Sequence, residues 1–153
     1  MNGNTEQTDT CQQGTVYLVS CVGKKLASES QARDLYISEW FIRVRRYVEK
    51  IRGPWFILSA KYGLVTPDTR LPPYNETLNN IPIAARRAWA ARVQAQLTVS
   101  LPPVDRIVIF AGHRYREFLM DYLKERAARI EVPLEGLRIG EQLSWLGTHE
   151  PTT

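Results

Sequence analysis

The feature that most constrains the fold is the alternation of short apolar runs with longer segments of helical periodicity. Three runs rich in β-branched and aromatic residues are predicted as strands, at residues 15–21 (TVYLVSC), 55–59 (WFILS) and 104–110 (VDRIVIF). A shorter fourth strand is predicted at 129–132. Apolar runs that do not alternate with polar residues are typical of strands buried on both faces. The sequence therefore predicts a sheet that is covered on both sides.

Segments with helical periodicity separate the predicted strands. In residues 31–52 apolar side chains recur at spacings of three and four, which predicts one helix that ends before a Gly-Pro pair. Further helices are predicted at 82–98, 115–123 and 139–146. Strands that alternate with helices form parallel sheets, because right-handed crossovers place the helices on both faces. We expect an α/β fold: a three-layer sandwich with a short, mainly parallel four-stranded sheet and helices on both faces.

The length of the chain predicts one folded domain. Its 153 residues fit a single core, which we place at residues 15–148 after a disordered leader at 1–14. The leader lacks the charged and apolar regions of a signal peptide, and no apolar run approaches the roughly 18 residues of a membrane span. We expect a cytoplasmic protein without membrane contact, and the oligomeric state stays open.

Cysteine and histidine are scarce in this sequence. Cys11 and Cys21 are too few for a disulfide framework, and together with His113 and His149 they show no paired zinc-ligand spacing. The Walker phosphate loop and the G-x-G-x-x-G dinucleotide fingerprint are both absent. The sequence therefore predicts neither a metal site nor a bound cofactor.

Basic residues exceed acidic ones, which gives a formal net charge of +4 and favours anionic partners. The excess lies on two predicted helical segments. The first carries Arg33, Arg43, Arg45, Arg46, Lys50 and Arg52, and the second carries Arg114, Arg116, Lys124, Arg126 and Arg129. Each set is either a surface that faces DNA or the solvated outer side of a helix, and the sequence leaves both interpretations open.

The segments that follow the strands are the expected place of a site, because ligands of open parallel sheets bind beyond the carboxyl ends of the strands. These segments are residues 20–28, 59–78, 111–116 and 133–140. The second is long and rich in Tyr, Pro, Asp and Thr, which indicates either a ligand pocket or a surface loop with buried tyrosines. The expected substrate-binding residues are Ser20, Cys21, Ser59, Ala60, Lys61, Tyr62, Gly63, Tyr74, Asn75 and Gly112.

Candidate catalytic groups lie in the same segments. Asp68 and Glu76 are carboxylates in a loop that tyrosines and prolines can partly dehydrate, and His113 is an imidazole at the third strand-to-helix junction. A G-x-S-x-G nucleophile elbow is absent. A structural hydrogen-bonding role for His113 and a solvated basic turn at the lysines are the alternatives. The expected phosphate-binding residues are Lys24, Lys25, Arg114 and Arg116.

Five motifs together carry a family resemblance. They are V-S-C-x-x-K-K after the first strand, S-A-K-Y-G-L after the second, then P-Y-x-x-T-L, A-G-x-x-Y and L-x-G-x-x-I-G-x-x-x-x-W-L. Over residues 16–146 the chain resembles a family of small bacterial and phage domains. That family is similar in architecture to the uracil-DNA glycosylase superfamily, and it also resembles anti-phage glycosylases that remove glucosylated hydroxymethylcytosine.

The resemblance implies a uracil-DNA-glycosylase-like fold, a base pocket at the strand carboxyl ends and DNA as the partner. The chain departs from the well-known uracil enzymes because residues 20–28 contain no Asp or Asn and no H-P-S-type motif follows. Catalytic residues are therefore not carried over by position. Tyr62 and Tyr74 are suited to hold a flipped base, and Asp68 or Glu76 to stabilise the cationic sugar. The leading hypothesis is a DNA N-glycosylase of antiviral defence that excises a modified base and leaves an abasic site.

Two alternatives use the same residues. The first is a non-catalytic module that binds nucleic acid or a nucleotide through the lysines and arginines. The second is an enzyme or sensor for a free nucleoside or a phosphorylated small molecule. Nucleic-acid affinity that falls steeply with salt argues against the second, because counterion release requires contacts to many phosphates.

Overall fold

The computed structural model describes residues 14–21 and 23–149. The strands are β1 (Thr15–Ser20), β2 (Ser30–Gln31), β3 (Trp55–Ser59), β4 (Gly63–Val65), β5 (Arg70–Leu71), β6 (Val104–Phe110) and β7 (Ala127–Glu131). The helices are α1 (Ala32–Leu35), α2 (Glu39–Ile51), α3 (Ile83–Ser100), α4 (His113–Arg116), α5 (Met120–Arg126) and α6 (Ile139–Thr148), with a 3-10 helix at Leu78–Asn80. The predicted leader lies outside the described residues, apart from Gly14.

Five of the strands form one sheet in the order β4-β3-β1-β6-β7. β1 is central and parallel to both β3 and β6, β7 is parallel to β6, and β4 pairs antiparallel with β3. β2 and β5 form a separate small antiparallel pair. The α/β class and the mainly parallel sheet are confirmed, but the expected number of four strands is wrong. The additional strand β4 has three residues, which is too short for a side-chain period to reveal it.

The alternation of side chains along β1 divides the core into two layers. Tyr17 and Val19 pack with α2 and α6, whereas Val16 and Leu18 pack with α3, α4 and α5. Helices therefore cover both faces of the sheet, as the apolar character of the strands predicts. Complete burial of a Val or Leu side chain contributes roughly 1.5–3 kcal/mol to stability, so the two layers hold the central strand firmly between them.

The single helix predicted at 31–52 is wrong in its first third. The chain there forms β2 and α1, leaves the helical conformation at Tyr36, and restarts as α2. Ser38 caps α2 because its side chain accepts a hydrogen bond from the backbone N–H of Phe41 at 3.2 Å. Tyr36 is 1% exposed and forms an extended bridge with Lys25. Tertiary contacts at Tyr36 therefore override the helical periodicity.

The remaining elements lie close to their predicted positions. The helices predicted at 82–98 and 139–146 correspond to α3 and α6, and the fourth predicted strand at 129–132 corresponds to β7. The helix predicted at 115–123 forms two shorter ones, α4 and α5. Within the two described stretches of chain, no helix is long and apolar enough to cross a membrane.

Candidate functional site

The carboxyl ends of the parallel strands meet around β1. The chain passes from β1 to β3 on one side and later returns to β6 on the other, so the strand order reverses between β1 and β6. A reversal of this kind leaves a crevice beyond the strand ends, because the connections on its two sides diverge to opposite faces of the sheet. A pocket of about 380 Å³ opens at this place. We call it the switch-point pocket.

The end of β1 and the first turns of α2, α4 and α6 build the switch-point pocket. Its lining residues are Ser20, Gly23, Ser38, Trp40, Asn79, Gly112, His113, Arg114, Tyr115, Ile139 and Gln142. Sequence reasoning anticipated Ser20, Gly112, His113 and Arg114. It missed Trp40 and Gln142 because they lie 102 positions apart, on α2 and α6, and these helices converge here only through tertiary packing.

An indole fixed by hydrogen bonds forms one wall of this pocket. Trp40 Nε1 donates to Gln142 Oε1 at 2.8 Å, and Gln142 Nε2 donates to the carbonyl oxygen of Leu137 at 2.9 Å. Both polar ends of the amide are therefore engaged, and the Trp40 ring has one preferred position. A fixed indole offers a flat surface against which a planar heterocycle can stack.

His113 lies at the rim, where β6 passes into α4. Its side chain is exposed, with Nε2 3.5 Å from Glu117 Oε1, and it also borders an adjoining cavity of about 200 Å³. Glu117 Oε2 accepts from Arg86 Nε at 2.7 Å, and Arg86 Nη1 donates to the carbonyl oxygen of Ile81 at 2.7 Å. This largely buried ion pair keeps a carboxylate beside the imidazole. Sequence reasoning missed it, although a charged Arg86 within the apolar stripe of α3 was the available signal.

The predicted phosphate-binding arginines have different surroundings. Arg114 lines the pocket with an exposed side chain and makes no ion pair with any described residue. Arg116 donates through Nε to the carbonyl oxygen of Ala111 at 2.9 Å and lies 3.4 Å from Glu135 Oε2. Arg114 is therefore available to an anion, whereas Arg116 ties the end of β6 to the segment before α6.

The two predicted phosphate-binding lysines, Lys24 and Lys25, also differ in their surroundings. Lys24 is exposed next to Gly23, which lines the switch-point pocket. Lys25 instead places its ammonium 4.5 Å from the ring centroid of Tyr74 and 5.7 Å from that of Tyr36. Cation–π contacts of this kind hold Lys25 over the two tyrosines. Lys24 is therefore the lysine that a ligand in the pocket can meet.

The pocket carries positive charge without a carboxylate in its lining. Arg114 is its charged side chain, His113 and Tyr115 are its titratable ones, and none of the lining residues is Asp or Glu. Among the described residues, no cluster of three or more His, Cys, Asp or Glu side chains could hold a metal ion. The arrangement suits an anionic or electron-rich ligand.

On the other side of β1 a buried hydrogen-bond network closes the crevice toward β3. Tyr74 Oη lies 2.7 Å from Tyr36 Oη, 2.7 Å from Ser59 Oγ and 3.3 Å from Cys21 Sγ. Cys21 Sγ in turn donates to the carbonyl oxygen of Leu58 at 3.1 Å. All four network side chains are less than 10% exposed. We call these four residues the tyrosine network.

The direction of these hydrogen bonds follows from what each atom already accepts. Ser59 Oγ accepts from the backbone N–H groups of Tyr62 at 3.0 Å and Lys61 at 3.3 Å, so its own proton is donated to Tyr74 Oη. Tyr74 donates onward to Cys21 Sγ, whose proton goes to the Leu58 carbonyl. The network is thus satisfied internally and leaves no polar atom for a substrate.

Burial keeps the titratable members of the tyrosine network neutral. Loss of solvation raises the pKa of the Cys21 thiol and of the Tyr36 and Tyr74 hydroxyls, because each anion would lie in an apolar environment. A thiol in this state is a poor nucleophile, since the thiolate is the reactive form. The predicted substrate-binding role of Cys21, Ser59 and Tyr74 stays a prediction, but their contacts are structural.

The S-A-K-Y-G-L motif folds back on this network. Tyr62 packs edge-on against Tyr74 with ring centroids 5.5 Å apart, and Lys61 Nζ lies 5.4 Å from the centroid of Tyr62. Gly63 has a φ of +76°, a conformation that favours glycine, and packs against the side chain of Gln96. Ala60 is half-buried at the start of the turn. The motif therefore anchors the loop, and none of its residues lines the switch-point pocket.

The predicted carboxylates lie outside the switch-point pocket. Asp68 is exposed and forms an ion pair with Arg33, which also lies 3.2 Å from Glu49. Glu76 is exposed, as is the neighbouring Asn75. None of the three predicted residues is among those that line the pocket, so their catalytic and binding roles stay predictions.

These observations define a class: an α/β protein with a pocket at the strand-order reversal of a mainly parallel sheet, whose lining contains Arg114 and no Asp or Glu. The model of the family of unknown function DUF6884 matches residues 16–148, and the chain belongs to that family. No curated protein and no solved structure matches the chain.

Proposed function

We propose that this protein is a DNA N-glycosylase that excises a modified base, with the switch-point pocket as the base-binding site. The observation that carries the proposal is the composition of that pocket: a fixed indole wall, neutral hydrogen-bonding side chains and a basic rim around about 380 Å³. This volume lies in the range of pockets that enclose small ligands. A base rotated out of a strand needs such a site, because it is recognised by stacking and by hydrogen bonds to its edge.

The residues that line the pocket have different roles in the proposed reaction. The flipped base stacks on Trp40, while Ser38 and Asn79 offer hydrogen-bonding groups to its edge. When the N-glycosidic bond breaks, its electron pair leaves with the base and the sugar becomes cationic. His113 donates a proton or hydrogen bond to the departing base, and the charge of Arg114 stabilises it. Water then adds to the cationic sugar and loses a proton, which returns to His113 if His113 protonated the base and otherwise neutralises the released base, and an abasic site remains.

The cationic sugar requires negative charge nearby, and phosphates of the strand supply part of it. Of the two predicted carboxylates, Glu76 lies in the segment that leads to Asn79, a lining residue. Asp68 is held by Arg33 beside α1 instead. We therefore retain Glu76 as the candidate that approaches a bound strand.

The architecture supports the same proposal. A parallel sheet between helices, with a pocket at the strand carboxyl ends, is what the resemblance to uracil-DNA glycosylases implies. β4 adds an antiparallel strand to the four that we expected. We propose that the fold is uracil-DNA-glycosylase-like, with β4 as an addition at the sheet edge.

The test is incubation of the purified protein with DNAs that carry normal, uracil-containing, hydroxymethylated or glucosylated bases. Alkaline cleavage then detects abasic sites, and mass spectrometry identifies released bases. We expect one class of modified base to be released with an alkali-labile site at its position. Intact DNA in every reaction, from a protein that is folded and binds the same DNAs, would contradict the proposal.

The second candidate is a module that binds nucleic acid without chemistry. It is favoured by the absence of Asp and Glu from the pocket lining, because glycosylases generally need a carboxylate near the sugar. Saturable binding of a nucleotide or an oligonucleotide to the switch-point pocket, with no base released, would support it.

A further inference from the structure

Two serines end neighbouring strands in the centre of the sheet. Ser20 is the last residue of β1 and Ser59 is the last residue of β3. The two strands are parallel, with Ser20 in register with Leu58. Both side chains are buried, since 1% of Ser20 and 0% of Ser59 is exposed. Both hydroxyls are therefore withdrawn from bulk solvent, where a polar group needs a hydrogen-bond partner.

The hydroxyls of the two serines differ in their partners. Ser59 Oγ accepts from the backbone N–H groups of Lys61 and Tyr62. Its own proton is donated to Tyr74 Oη, 2.7 Å away. Ser20 Oγ, in contrast, makes no hydrogen bond with any residue that the structure describes. A buried hydroxyl without a partner lowers stability, so its presence in the wall of a pocket indicates that a ligand is the partner.

The Ser20 side chain lies at the inner end of the switch-point pocket. Side chains alternate along a strand, so Ser20 projects to the same face of the sheet as Val16 and Leu18, the face that α3, α4 and α5 cover. Tyr115 of α4 packs on that face as well. Among the residues that line the pocket, Ser20 and Tyr115 are buried, and the others are half-buried or exposed. These two side chains therefore form the floor of the pocket.

Protein contacts occupy the other side chain of the floor, Tyr115. Its ring packs edge-on against Trp89, with ring centroids 5.6 Å apart. Its hydroxyl interacts with the side chain of Thr77 and the backbone of Leu78, although neither contact is a well-formed hydrogen bond. Ser20 is therefore the side chain of the floor whose donor and acceptor are both available to a ligand.

Together, Trp40 and Ser20 limit the kind of ligand that the pocket can hold. The hydrogen bond to Gln142 fixes the Trp40 indole, and a fixed indole stacks on a planar ring. A hydroxyl at the floor meets the edge of that ring, and it can donate to a carbonyl group or accept from an amino group. The pocket therefore favours a planar heterocycle with hydrogen-bonding atoms on its leading edge over an aromatic hydrocarbon of similar size.

We propose that Ser20 is a specificity-determining residue of the switch-point pocket, whose hydroxyl hydrogen-bonds the leading edge of a nucleobase that stacks on Trp40. The inference rests on the proposed function for the source of that base, which is a strand of DNA. A ligand that displaces water from a hydroxyl must replace the lost hydrogen bond, so a ring without a polar atom on its leading edge binds poorly.

The experiment uses the free bases cytosine, 5-hydroxymethylcytosine, thymine and uracil as probes. Toluene is the control probe, because it is a ring of similar size without a hydrogen-bonding atom. Binding to the unchanged protein and to Ser20→Ala is followed by the NMR signal of the Trp40 indole N–H. Urea denaturation compares the stability of these two proteins with that of Ser59→Ala, the matched variant of a serine whose hydroxyl has partners.

We expect at least one base to bind the unchanged protein, and Ser20→Ala to weaken that binding roughly tenfold while the response to toluene stays the same. Ser20→Ala should unfold at the same or a higher urea concentration than the unchanged protein, because it removes a hydroxyl that has no partner. Ser59→Ala should unfold at a lower concentration. Three results would overturn the inference: unchanged base affinity in Ser20→Ala, a loss of stability as large as that of Ser59→Ala, or no base binding to the unchanged protein.

Release of bases from DNA is measured separately. Weaker base binding in Ser20→Ala, with no base released from DNA by the unchanged protein, leaves the role of Ser20 standing and counts against the glycosylase. Base release at the same rate in the unchanged protein and in Ser20→Ala counts against the role of Ser20 alone.

Discussion

The two sides of β1 at its carboxyl end differ in what they leave open. On the β3 side the tyrosine network fills the interior, and its polar atoms bond to one another. On the β6 side the switch-point pocket stays open, with Ser20, Trp40 and His113 in its lining. The motif-rich loop after β3 therefore stabilises the edge of the sheet, and the shorter segment after β6 presents the groups that can meet a ligand.

A long polar and aromatic loop is not by itself a pocket. Buried polar groups are tolerated only when they are hydrogen-bonded, and the tyrosine network meets that requirement within the protein. The switch-point pocket depends on connections that diverge to opposite faces of the sheet where the strand order reverses, so its position follows from topology. If the β3 side is structural and the β6 side carries the proposed function, substitutions on the two sides should have different effects.

The largest effect is expected for His113→Gln. On the proposed function it should lower the rate of base release roughly a hundredfold, because the departing base loses its proton donor. The exposed position of His113 should leave the free energy of unfolding within about 0.5 kcal/mol of the unchanged protein. Single-turnover kinetics and chemical denaturation measure the two quantities. Undiminished base release would remove His113 from the reaction.

Tyr74→Phe should act on stability. It deletes the hydroxyl that accepts from Ser59 and Tyr36 and leaves their buried donors without an acceptor, at a cost of about 2 kcal/mol in the free energy of unfolding. Tyr62→Phe is the matched control and should change stability by less than about 0.5 kcal/mol. Urea denaturation of both variants measures the difference. Equal stability of the two variants would show that the network is not what closes the β3 side.

The tyrosine network should also make stability depend on pH. The ordinary pKa is 9.0 for cysteine and 10.0 for tyrosine, and burial raises the folded-state pKa of Cys21, Tyr36 and Tyr74. The unfolded chain therefore releases protons that the folded chain retains, so stability is complete below about pH 9 and falls as the pH rises further. Each such group contributes a slope of up to about 1.4 kcal/mol per pH unit. Denaturation of Tyr74→Phe at alkaline pH should show a shallower decline, and an unchanged decline would be inconsistent with this account.

The smallest effect is expected for Asp68→Asn. The carboxylate of Asp68 is 74% exposed, and its partner Arg33 keeps a second contact with Glu49. The substitution should cost less than about 1 kcal/mol of stability and leave base release unchanged. Glu76→Gln is the informative comparison, since that residue precedes the lining residue Asn79. A severe loss of activity in Asp68→Asn would restore Asp68 as a catalytic candidate and place the reaction on the other side of β1.

Much of the fold could be predicted because strands buried on both faces differ in pattern from amphipathic helices. The apolar runs that became β1, β3 and β6 are long enough to show that pattern. β4 and the break before α2 escaped prediction because three residues carry no period, and because burial of Tyr36 against Phe41 and Tyr74 overrides local helical spacing.

The candidate site was predictable in part, because the patterns that locate the strands also locate the strand-to-helix junctions. The junction after β6 directed attention to Gly112, His113 and Arg114, which line the pocket. The side chains of Trp40 and Gln142 could not be found this way. Their significance depends on a hydrogen bond across 102 positions of the chain, and no local pattern encodes such a contact.

The sequence by itself determined the alternation of the longer strands with helices, the apolar faces that pack them and the positive charge of the chain. These are local properties, set by side-chain periodicity and composition. Only the tertiary structure decided that the tyrosine network closes the β3 side of β1 while the β6 side stays open, and that Trp40 of α2 meets Gln142 of α6. Those outcomes depend on which distant side chains come within hydrogen-bonding distance, and packing alone settles that.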